Sequence, residues 1–102
     1  MTQLPTGRTK PAVPPEVADL VAAATRSVPG VSDLHAGAFG EVATYLPGRR
    51  VTGVRMDDDL AEVHVVVSMR APVLATAEAI RAVVRPLVGT EVRVVVEDLD
   101  QS

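Results

Sequence analysis

The side chains able to do chemistry in this 102-residue chain fall into a few short groups. Asp57-Asp58-Asp59, followed by Glu62 and His64, offers hard oxygen donors and one imidazole, a set that suits a hard or borderline cation. The spacing matches neither a calcium loop nor a histidine pair. Asp also favours turns, where its charge keeps the tip in water, so the triplet is expected to be a solvated turn. Asp33 and His35, two apart, would face the same way on a strand, as a carboxylate does when it orients a general base. Ser27, Ser32 and Ser68 are hydroxyls that a base could activate, yet none lies in a Gly-x-Ser-x-Gly elbow. The expectation is a protein that is not an enzyme, with no catalytic residue, no metal and no cofactor.

Gly37-Ala38-Phe39-Gly40 matches the Gly-x-x-Gly loop of KH RNA-binding modules, with Arg49, Arg50 and Arg55 as a basic patch. That loop joins two helices and carries a basic residue between its glycines. Here the middle residues are Ala and Phe and the flanks read as strands, so a structural turn is favoured and a KH-like nucleic-acid-binding module is the alternative. The formal net charge of −3 also gives no general attraction to phosphate backbones, and no nucleic-acid partner is expected.

Composition narrows the classes further. Hydrophobic residues make up 47% of the chain and charged ones 23%, which fits a folded domain rather than disorder. With no cysteine there is no disulfide scaffold, thiolate zinc site or cysteine nucleophile. No run reaches the length of a membrane span, and residues 1–14 have no apolar core of a secretory signal. A cytoplasmic protein is expected, with no direct membrane insertion and any membrane association made through a partner.

The elements that must position these residues follow from periodicity. Residues 1–14, rich in proline, read as a flexible tail, and 15–99 as a single domain with a short acidic tail at 100–102. Pro15-Glu16 opens a helix whose stripe is Val17, Leu20, Val21, Ala24 and Val28, stopped by Pro29-Gly30. Short strands are predicted over 31–36, 41–46 and 51–56, and a long one over 60–69. On the long strand Ala61, Val63, Val65, Val67 and Met69 alternate with Glu62, His64, Val66 and Ser68. Pro72 opens a second helix with Val73, Ala77, Ile80, Val84 and Leu87 or Val88 inward; Pro86 should loosen its last turn and Gly89 ends it. The last strand, 91–97, points Val92, Val94 and Val96 inward and Arg93, Val95 and Glu97 outward.

The fold class is therefore α+β, a two-layer α/β sandwich in the order α-β-β(-β)-β-α-β. Two helices cover one face of a mixed sheet of three to five strands, and the other face stays open. Glu62, His64, Val66, Ser68, Arg93, Val95 and Glu97 lie on that open face and are the candidate interface.

Three segments together resemble one family. Val17 to Ala24 running into Val28-Pro29-Gly30-Val31 is similar to the alanine-rich helix and Pro/Val-Gly-Val opening of the alkaline-shock-protein (Asp/Gls) family of bacterial envelope stress response proteins. Gly53-Val54-Arg55-Met56 and Val63-His64-Val65-Val66-Val67 resemble its central hairpin. Ala77 to Val88, Gly89, and Val92 to Leu99 resemble its closing helix, glycine and strand. The chain departs from the pattern at Arg70-Ala71-Pro72, where the family tends to have an aromatic–glycine pair, and at Pro86. The resemblance implies a non-enzymatic scaffold protein that self-associates as a homo-oligomer. It also implies a place at the inner face of the cell membrane, held there by a small membrane-anchor protein.

Overall fold

The computed structural model describes residues 13–101. Its elements are α1 (Val17–Arg26), β1 (Val31–Leu34), β2 (Ala43–Leu46), β3 (Arg49–Thr52), β4 (Val54–Met56), β5 (Leu60–Ser68), α2 (Val73–Val88) and β6 (Glu91–Asp100). Most of the proline-rich tail predicted over 1–14 lies outside the described residues.

β5 is the spine of a four-stranded mixed sheet. Along one edge it pairs in parallel with β6, from Leu60↔Glu91 to Ser68↔Asp100. Along the other it is antiparallel to β4 at Ala61 to Val63 and to β1 at Val65 to Val67, so those two short strands lie end to end. The βαβ unit β5–α2–β6 is the one the sequence predicts. Alternation on β5 is also as expected: Ala61, Val63, Val65 and Val67 are buried against Val21, Ile80 and Val84 of the helices. Both helices cover that face. Among the described residues the other face carries no helix.

The structure corrects several boundaries. The predicted strand over 51–56 is two strands, because Gly53 at φ +85° turns the chain. β3 folds back on β2 as a separate hairpin, while β4 joins β5. A Cβ at Gly53 would lie 2.9 Å from the Leu34 Cβ, 3.0 Å from the His64 carbonyl and 3.1 Å from the His35 nitrogen, so only glycine fits. The first two predicted strands are shorter than expected, and the long one stops at Ser68, leaving Met69 exposed. β6 runs on to Asp100, where an acidic tail was expected. Its extra residue, Glu97, is absorbed by a register shift opposite Val65 and Val66.

The buried residues of α1 are Ala18, Val21, Ala22 and Thr25, a stripe rotated from the predicted one, and Leu20 is exposed. Val21 belongs to both stripes, and Val28, just beyond the helix, is buried as predicted. Asp19, in the first turn of α1, pairs with Arg49 of β3. In α2, buried Thr76 joins Ile80, Val84 and Val88, its hydroxyl donating to the Pro72 carbonyl at 2.9 Å. The helix continues through Pro86 to Val88 and ends at Gly89 in the left-handed region, whose N–H donates to the Arg85 carbonyl.

Candidate functional site

The open face of the sheet holds a linked set of charges centred on His64. Alternation along β5 puts Glu62, His64, Val66 and Ser68 there; β6 adds Arg93 and Val95 in register beside Glu62 and His64, and Glu97 at the register shift. His64 was expected to be exposed on this face, but it is only 7% exposed, because long neighbours fold over it. Its Nδ1 lies 2.6 Å from Glu97 Oε2 and its Nε2 lies 3.0 Å from Glu62 Oε1. A ring with carboxylates at both nitrogens donates to both only when both are protonated. Arg55, reaching from β4, donates to Glu62 at 3.0 Å, and Arg93 stands 3.9 Å from the other Glu62 oxygen. The hydrogen bond from His64 and then the Arg55 contacts hold the Glu62 carboxyl below its ordinary range, against a partial opposing effect of burial. Val66 and Val95 are half-buried between these groups.

The backbone around His64 explains why the set is held so firmly. Its N–H donates to the Gly53 carbonyl at 2.9 Å, and its carbonyl accepts from His35 N–H at 2.8 Å. The β3–β4 junction and the end of β1 therefore both close on this residue.

The other predicted groups are not brought together as chemistry. Asp57 Oδ1 accepts from the N–H groups of Asp59 and Leu60 at 2.8 and 2.9 Å, which is the solvated turn expected. Among the described residues no cluster of three acidic or histidine side chains is arranged to hold a metal. Asp33 and His35 do not meet: β1 ends at Leu34, the Asp33 carboxylate turns to Leu34 N–H, and His35 Nδ1 accepts from Gly37 N–H. Ser27 donates to the Ala24 carbonyl, Ser32 to Asp100, and the Ser68 hydroxyl accepts from Arg70 N–H. None of these hydroxyls is seated on an imidazole.

Gly37 to Gly40 form a turn between β1 and β2, with the Phe39 side chain 91% exposed at its tip. The loop joins strands, and the three arginines do not converge on it. Arg49 makes a two-pronged pair with Asp19 on α1 at 2.7 and 2.8 Å, and Arg55 belongs to the Glu62 set. Sequence reading missed the Arg55 contribution to the open face; the signal was its place opposite Glu62 across a hairpin.

Surface depressions are shallow; one of about 510 Å³ lies beside the start of β6, lined by Asp59, Leu60, Arg81, Glu91, Val92 and Arg93. Among the described residues no helix is long and apolar enough to cross a membrane. Compared with protein-family models, curated proteins and solved structures, the chain matches none.

Proposed function

We propose that this chain is a non-catalytic interaction module that self-associates through its sheet. The observation that supports this reading most is the asymmetry of the layers. Among the described residues both helices pack on the Val63–Val65 side, and the side bearing Val66 and Val95 has none. Side chains there are already ordered by mutual hydrogen bonds, which lowers the entropy lost when a partner docks. The same bonds weigh against catalysis, since both nitrogens of His64 are taken by carboxylates.

Following the resemblance to the alkaline-shock-protein family, the module is a scaffold of the envelope stress type, cytoplasmic and recruited to the membrane by a small anchor protein. Light scattering over a concentration series tests self-association. The apparent mass should rise above that of one chain as concentration increases, and a constant monomer mass would refute the reading. Fractionation of cells with and without a candidate anchor tests recruitment: the protein should leave the membrane fraction when the anchor is removed.

A further inference from the structure

We propose that two copies of the chain join edge to edge, β6 against β6, antiparallel about a two-fold axis at Val95. The proposal rests on the self-association reading and specifies its contact. Among the described residues β5 is paired along both edges, whereas β6 pairs along one only. A long free edge of this kind is a template for another strand.

The alternation of the backbone decides which groups face outward. His64 N–H and C=O serve the β1/β4 edge, so its neighbours Val63 and Val65 serve β6. With Val63↔Val94 and Val65↔Val96 in parallel register, Arg93 and Val95 turn their amides toward β5, and Val94 and Val96 turn theirs away. Arg81 Nε donates to the Val92 carbonyl at 3.2 Å, which agrees with that alternation and marks where the helix stops covering the edge.

The residue order around Val95 fits its own reverse. Two steps before it stands Arg93, two steps after it Glu97, with Val94 and Val96 between. An antiparallel pair centred on Val95 sets Arg93 against the partner's Glu97 on both sides of the axis. Val94 and the partner's Val96 then exchange amide hydrogen bonds, about four across the whole contact. Arg93, with its side chain 61% exposed, stands no closer than 3.9 Å to Glu62 among the described residues and can take this partner. A closed two-fold contact requires such self-complementarity, and this charge order commits the edge to a second copy of the same chain. The two open faces then run together as one surface.

The chain has no cysteine, so Val95→Cys introduces a single thiol at the axis. Cα atoms of a non-hydrogen-bonded antiparallel pair lie about 4.5 Å apart, within the reach of a disulfide. The full-length variant should become a covalent dimer under mild oxidant, while Tyr45→Cys, exposed on β2, should form no covalent dimer under the same treatment. Val66→Glu adds a charge to the open face one strand in from the edge. It should leave the non-covalent dimer intact, and Arg93→Glu should dissociate it. Thermal melts by circular dichroism check that each variant is folded. A dimer that Val66→Glu dissociates and that Val95→Cys fails to cross-link overturns the edge contact and leaves self-association standing. A wild-type chain that stays monomeric at every concentration, as when residues 1–12 take the edge, overturns both.

Discussion

Gly53→Ala is the perturbation whose cost is most directly read from the structure. At φ +85° an alanine incurs the left-handed backbone penalty of roughly 1–2 kcal/mol. Its methyl would also meet the Leu34 Cβ at 2.9 Å and two backbone atoms, the His64 oxygen and the His35 nitrogen, at 3.0 and 3.1 Å. None of these is the free end of a flexible side chain, so the β1–β5–hairpin junction must shift, which costs about 1–3 kcal/mol. Restricting the unfolded chain offsets about 0.4–1 kcal/mol of this. The net loss is about 2–4 kcal/mol, a fall in Tm of roughly 10–25 °C for a domain of this size. Gly48→Ala is the matched control: φ is +77°, and a Cβ there has nothing within 4 Å, so only the backbone part applies. Thermal unfolding by circular dichroism should show Gly53→Ala melting well below Gly48→Ala. Equal melting of the two would refute the close approach of Gly53 to His64 and with it the way the charge set is positioned.

Thr25 and Glu62 provide further tests. The Thr25 hydroxyl is buried with no hydrogen-bond partner among the described residues, so Thr25→Val keeps the shape and removes an unmatched polar atom; a gain of about 1 kcal/mol in denaturant unfolding is expected, and a loss would contradict it. The folded-state Glu62 carboxyl titrates below its ordinary value of 4.5, so its contribution to stability is complete above that pH and is lost as pH falls through the lower, folded value. Glu62→Gln should therefore flatten the acid limb of a stability-versus-pH curve measured by urea unfolding, whereas an unchanged limb would mean that other carboxylates carry it.

The layer architecture was legible because from Ala61 on β5 alternates apolar and polar residues everywhere but at Val66, and because proline and glycine bracket both helices. The open-face membership of Glu62, Val66, Arg93 and Glu97 followed from the same alternation. Three things did not follow. The stripe on α1 rotated because an alanine counts little in a hydrophobicity pattern but packs closest. The turn at Gly53 was hidden inside an apolar run, since a single glycine in a strand reads equally as a bulge or a break. The burial of His64 depends on Glu97 from β6, 33 residues away, whose approach is set by the register shift in the parallel pair. Local patterns do not carry such long-range partners.

Sedimentation velocity of wild type beside Arg93→Glu is the most direct test that copies of this chain meet through the sheet. Wild type should sediment progressively faster as concentration rises. Arg93→Glu should keep the monomer value over the same range while melting within a few degrees of wild type. Contradiction would come from a folded Arg93→Glu that associates as wild type does, or from a wild-type chain whose sedimentation never leaves the monomer value.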